Sequence, residues 1–195
     1  MATAIGTRLH RLAPSVRAIA PKDVVCVAAV LPCRVRARDN DAMATSYTVE
    51  RTATTTAPPG RVHGLVADFH AWRAWSPWED IDPGMTRTYE GPDSGVGARY
   101  AWSGNRKAGA GSMEITGDDP ERVDVDLRFT RPFPSESRMQ LLITPTGDTT
   151  VLTWRLLGEV SGVARLFTMV RPMDSVVGPD FERGLQRLTR VAESG

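Results

Sequence analysis

The chain has 195 residues, with 24 Lys and Arg against 23 Asp and Glu for a formal net charge of +1. That length suits one ordinary domain, able to bury a core without disulfide or metal staples. A composition 41% hydrophobic and 24% charged disfavours disorder, and no apolar run approaches the roughly 18 residues a membrane span needs, so no stable membrane insertion is expected. The near-neutral balance argues against a nucleic-acid binder, whose footprint is a strong basic excess.

The chain joins two compositions. Residues 1–42 carry seven basic and three acidic side chains, contain Cys26 and Cys33, and hold none of the aromatic residues, all of which follow Ser46. With Pro14, Pro21 and Pro32 interrupting it, this segment has little with which to build a core and is expected to be poorly ordered. Three readings compete: an Arg-rich targeting peptide, a basic tail for an acidic partner or membrane surface, and an upstream extension of a protein that starts at Met43. The last is favoured, because 22 Arg against 2 Lys marks a GC-rich coding sequence, in which spurious upstream reading frames are common. The domain is therefore taken as residues 43–195. It contains no cysteine, so it needs no disulfide, and a cytoplasmic location is the default.

In chain order, Tyr47–Thr56 is rich in β-branched residues and reads as a strand ending at Pro58 and Pro59. Val62, Leu65, Val66 and Phe69 then form one face of a short helix, and Pro77 ends any helix running through Trp72 and Trp75. Six short alternating segments follow, Met85–Glu90, Gly97–Ser103, Ala108–Thr116, Arg122–Thr130, Ser135–Thr144 and Thr149–Leu157, separated by turn residues as in a meander of hairpins. Val123, Val125, Leu127 and Phe129 alternate with Asp124, Asp126, Arg128 and Thr130, so the sheet has one wet face and one covered face. The cover is a C-terminal helix on which Met173, Val177, Phe181, Leu185, Leu188 and Ala192 share a stripe, Pro179 predicting a kink or a late first turn. The fold expected is α+β: a curved antiparallel sheet of about seven strands wrapped around one long helix.

Several stretches carry a family resemblance. Ala57-Pro58-Pro59, Trp72 to Trp78 followed by Asp82-Pro83, Gly95 to Asn105, Thr149 to Trp154 and Gly178 to Leu185 together resemble the START-like or SRPBCC superfamily, and more narrowly its bacterial polyketide cyclase/dehydrase-like members. The resemblance implies a helix-grip fold with a cavity between sheet and helix. It also implies either a carrier of lipids and other hydrophobic small molecules or an aromatic cyclase, and it does not choose between them.

The tryptophans are the strongest local signal. Trp75 and Trp78, with Trp72, suit either packing of the helix-to-strand junction or a pocket mouth, and Trp102 and Trp154 lie mid-strand. With Tyr100, Met113, Phe129, Met139 and Phe181 they are the candidate ligand-binding residues, the methionines adapting to irregular ligands. Tyr100 is the candidate catalytic residue, a buried phenol able to hydrogen-bond an enolate-like oxygen, with Arg99, Arg128 or Glu114 as substitutes should the registers shift by one. His63 and His70 lack a partner motif, and Glu79, Asp80 and Asp82 read as a solvated acidic loop. The glycine clusters lack the order of a phosphate-binding loop, and neither metal nor cofactor is nominated. The function expected is binding of a hydrophobic or aromatic small molecule, with a cyclase or dehydratase of the same shape as the alternative.

Overall fold

The computed structural model describes residues 45–160 and 172–195. The expectations for residues 1–42 lie outside the described residues. β1 (Thr45–Thr55) carries the β-branched run and stops before Pro58 and Pro59. Pro59 opens α1 (Pro59–Val66), where its fixed φ and missing N–H cost nothing. Phe69, expected on that helix, lies past its end and is buried at 2% exposure. A single 3-10 turn at Ala71–Ala74 then brings Trp72 and Trp75 under the sheet.

The meander forms as the alternation predicts, in six strands: β2 (Thr86–Glu90), β3 (Arg99–Ser103), β4 (Ala110–Asp119), β5 (Arg122–Arg131), β6 (Ser135–Thr146) and β7 (Thr149–Val160). With β1 they make one antiparallel seven-stranded sheet in the order β1-β7-β6-β5-β4-β3-β2. The closing helix α2 (Met173–Glu193) begins at Pro172 and carries Pro179 inside it. Pro179 thus neither delays the start nor ends the helix. It lacks the N–H that would reach the Ser175 carbonyl, a loss tolerated because packing, not local propensity, holds this helix.

Phe181, Leu185, Leu188 and Ala192 form the buried stripe of α2, all at 3% exposure or less. Phe181 stacks on Trp154 from the middle of β7, centroids 4.2 Å apart and planes 6° off parallel. Trp75 and Trp78 meet Trp154 edge-on at 5.4 and 5.5 Å, geometry that suits the charge distribution of aromatic rings. Gly184 gives Trp154 its room, since a Cβ there would lie 2.7 Å from Trp154 Cζ3 and 3.0 Å from Pro77 Cδ.

Polar clamps fix both ends of α2. Arg51 on β1 donates to Glu182 Oε1 at 2.7 Å and to Asp174 Oδ1 and Oδ2 at 2.6 and 3.0 Å, passing over Gly178, where a side chain would collide with its guanidinium. At the other end Glu193 accepts the Thr56 backbone N–H at 3.1 Å and the Thr55 hydroxyl at 2.8 Å. The Arg51 guanidinium holds the Asp174 carboxyl below the usual carboxylate range, and the Thr56 N–H does the same for Glu193.

Two expectations follow. Gly184→Ala normally stabilises a helix by about 1 kcal/mol, but rigid ring atoms oppose it here. Chemical denaturation should show a net loss of about 1–2 kcal/mol; a gain would mean that Trp154 has room to move. Because both carboxyls titrate lower folded than unfolded, their contribution is complete above about pH 4 and is lost as pH falls through their folded values. Asp174→Asn should therefore shrink the fall in Tm between about pH 5 and pH 3 relative to the parent.

Candidate functional site

The inward-facing side chains lie in transverse rows set by the strand registers. Val49, Leu156, Met139, Val125 and Ile115 form one row, none of them more than 4% exposed. Two residues along each strand, Tyr47, Gly158, Ser137, Leu127, Met113, Tyr100 and Tyr89 form the next. Here Met113 and Tyr100 are still buried, while Tyr47, Ser137, Leu127 and Tyr89 are half-buried. Beyond it, level with the first residues of β6, Phe129 and Trp102 are half-buried on either side of Gly111. Burial thus falls steadily from the Trp154 core toward the end of the concave face where β3 and β5 run out.

The open end is apolar with few polar fixtures. Trp102 meets Phe129 edge-on at 5.3 Å and donates its indole N–H to the Ala108 carbonyl at 3.1 Å. Gly111 permits this placement, since a Cβ there would lie 2.6 Å from Trp102 Cη2. Tyr47 and Ser137 share a hydrogen bond of 3.0 Å across Gly158, beside Leu127. These groups offer flat apolar surface with a hydroxyl pair at one side, an arrangement that suits an apolar ligand with few polar atoms.

Tyr100 sits where the open end meets the core. Its hydroxyl donates to Glu79 Oε1 at 2.8 Å, and Glu79 Oε2 accepts from Arg87 Nε at 2.6 Å. Arg87 also donates to the carbonyls of Glu79 and Met85. Burial first, then the Glu79 carboxylate, push the Tyr100 phenol well above its ordinary range, and burial raises the Tyr89 phenol. The solvated acidic loop expected at residues 79–82 is corrected here, because the Glu79 side chain is only 8% exposed. Its loop folds back over β2 and β3, and an ion pair with Arg87 compensates its desolvation. Glu79 and Arg87 are the site residues that sequence reasoning missed; the alternation of Arg87 with the threonines of β2 was the available signal.

The nine candidate ligand residues divide by place. Trp75, Met139, Trp154 and Phe181 are core side chains at 1% exposure or less. Trp78 donates to Asp180 on α2 at 3.2 Å. Trp102, Met113, Phe129 and Tyr100 line the open end or its boundary. Arg99, Glu114 and Arg128 stand on the opposite, outer face, where Arg99 pairs with Glu114 and Arg128 with Glu136. Among the described residues two buried polar atoms have no partner, the Trp154 indole N–H and the Tyr89 hydroxyl. His63 contacts Asp118 at 2.8 Å, and His70 stacks on Tyr89 while its Nδ1 lies 3.1 Å from Asp68. Among the described residues no group of three or more His, Cys, Asp or Glu is placed to hold a metal ion.

Volume alone points elsewhere. A groove of about 770 Å³ crosses all seven strands, lined by outward-facing residues such as Glu90, Arg99, Asp126 and Arg138 alternating with concave-row residues such as Tyr100, Met113 and Leu127. Cross-strand ion pairs such as Asp126–Arg138 span its walls. A smaller cleft of about 170 Å³ lies between His70, Tyr89 and Arg99.

An antiparallel sheet closed over one long C-terminal helix is the helix-grip architecture of START-like proteins. The family model described as polyketide cyclase / dehydrase and lipid transport matches residues 46–193, and the chain belongs to that family. No curated relative matches the chain. Among solved structures it is similar to protein CV1439 from Chromobacterium violaceum, at 17% identity and a TM-score of 0.54 over 75% of this chain and 96% of that one. It is also similar to protein MLL2253 from Mesorhizobium loti, at 15% identity and a TM-score of 0.54 over 76% and 98%. A third likeness is to DynU16, a putative protein of the dynemicin biosynthetic locus, at 18% identity and a TM-score of 0.50 over 76% of this chain and 48% of that one. At these identities the likeness is one of fold. No helix among the described residues is long and apolar enough to cross a membrane.

The tyrosines supply a check on this geometry. Two of the three, Tyr89 and Tyr100, have phenols raised in the folded state, so their contribution to stability is complete below about pH 10 and is lost as pH rises through the folded values. Ultraviolet titration of the native protein should show the Tyr89 and Tyr100 phenols ionising above the ordinary tyrosine range. Tyr100→Phe should remove one of these two raised titrations; loss of an ordinary one instead would contradict the buried Glu79 contact.

Proposed function

We propose that the protein binds a hydrophobic or aromatic small molecule, a lipid or a polyketide-like metabolite, in the cytoplasm. The ligand lies against the open end of the concave face, between Trp102, Met113, Leu127 and Phe129, with α2 beyond. The observation that carries this reading is the fall in burial along the concave rows, from side chains at 4% exposure or less around Met139 and Leu156 to only partly buried Leu127, Phe129 and Trp102. Leaving large apolar groups partly wet costs about 25 cal/mol for each Å² that a ligand would cover, and the family gives such a surface a use. The outer groove is the poorer candidate for an apolar ligand, because its walls carry three Arg and five carboxylates.

Titration of the full chain with Nile red, followed by competition with fatty acids and planar polyphenols, tests the reading. Phe129→Ala should weaken binding about tenfold with a small change in Tm, since Phe129 is half-buried. Trp154→Leu should act chiefly on Tm. Unchanged affinity in folded Phe129→Ala and Leu127→Ala variants would sink the reading.

One observation favours a cyclase or dehydratase as the second reading. The Tyr100 hydroxyl and the Glu79 carboxylate form a proton donor and acceptor 2.8 Å apart at the inner wall of the same surface, where exclusion of water strengthens each hydrogen bond. In that case Tyr100→Phe abolishes turnover of a polyketide-type substrate while Nile red binding survives. Retained turnover would leave Tyr100 a purely structural residue.

A further inference from the structure

Phe133 is the most exposed of the large apolar residues picked out on the described surface, at 79%. It occupies the β5–β6 turn between Pro132 and Pro134, whose rings restrict the backbone, so little further ordering is needed when the ring is buried in a partner. The β3–β4 turn lies beside it, because Ser103 pairs with Ala110 and Ala110 with Arg131. Arg131 joins the two turns through a 2.8 Å hydrogen bond to the Ser103 hydroxyl.

The charges around this tip are mostly of one sign. Arg106 and Lys107, both exposed, head the β3–β4 turn and have no ion-pair partner among the described residues. Arg131 adds a third cation. Glu136 is neutralised by Arg128 at 2.9 Å, and Asp82 is occupied by the backbone N–H groups of Asn105 and Gly84. Four cations against two carboxylates leave the tip an excess of two positive charges. By contrast, exposed Val96 lies in the β2–β3 loop at the far end of β3, beside Asp93 and Glu90.

From an exposed aromatic wedge ringed by cations, we infer that the paired β3–β4 and β5–β6 turns form a docking surface for anionic phospholipid bilayers. Phe133 enters the interface of headgroups and acyl chains while Arg106, Lys107 and Arg131 meet lipid phosphates. Contact of this kind is peripheral and reversible, each cation near the surface strengthening it about fivefold and salt weakening it. The surface does not depend on the proposed ligand site, although Phe129 and Trp102 lie on the same end of the sheet.

The test is sedimentation of the full chain with vesicles of phosphatidylcholine, with and without phosphatidylglycerol. Binding is expected only with the anionic lipid and falls as salt rises. Phe133→Ser should lower partitioning about tenfold, and Arg106→Gln with Lys107→Gln about twentyfold. A charge-matched control at the other end of the molecule, Arg61→Gln with Arg190→Gln, should leave at least half the binding. Since every substituted side chain is exposed, unchanged Tm values should accompany these effects. No sedimentation with either vesicle overturns the proposal, as does binding that survives the Phe133 substitution. Equal losses in the tip and control pairs also overturn it, because net charge alone would then be acting.

Discussion

The stack of Phe181 on Trp154 is the contact on which the rest of the molecule depends. Its two large rings, one from the helix and one from the middle of β7, lie face to face at 4.2 Å. Gly184 brings the helix backbone over the Trp154 ring, and the indoles of Trp72, Trp75 and Trp78 close around the ring's edge. The helix axis is thereby fixed relative to β7. Arg51 and Glu193, at its two ends, need only prevent it from pivoting. Exposed ion pairs alone hold elements weakly, so the aromatic contact sets the position and the polar clamps set the angle.

The Glu79, Tyr100 and Arg87 network does a comparable service on the other half of the sheet. β2 and β3 are five residues each, short strands at the edge opposite β1, with limited ladders to hold them. Arg87 gathers the loop carbonyls of Glu79 and Met85 as well as the Glu79 carboxylate, tying the segment after Trp78 onto both strands. Such a buried pair makes sense only while all its members are present, because removing one leaves a desolvated charge. Together the two constraints close the interior from the helix side and from the β2 edge, and they leave the end near Phe129 and Trp102 less covered.

Most of the fold was legible because it follows from period. Val123 to Thr130 alternates without interruption, and every meander strand falls within a few residues of its sequence-based bounds, since a register slip would turn the apolar set outward. What resisted reading depends on contacts distant in sequence. Phe69 continues the helical stripe of α1 but is buried after that helix has ended. Pro179 carries a local signal for a break that packing of Phe181 and Leu185 overrides. Glu79 looks like its neighbours Asp80 and Asp82, and only the return of the loop over Arg87 and Tyr100 separates it from them. The candidate residues Trp154 and Phe181 were legible as apolar and central, yet sequence does not distinguish an aromatic that lines a space from one that fills it.

That distinction bears on where function resides. A side chain at 0% exposure between close-packed rings has no free surface to give a ligand, and interiors packed to crystal-like density make room only at considerable cost. Half-buried Leu127, Phe129 and Trp102 incur no such cost, and Met113 beside them is among the most adaptable of apolar side chains. The sheet joins the two regions without interruption, Leu127 and Val125 being neighbours on one face of β5. A rigid core and an adaptable end can therefore vary separately: under the proposed binding role, substitutions at the end would alter what is bound, while those around Trp154 alter whether the sheet and helix stay together.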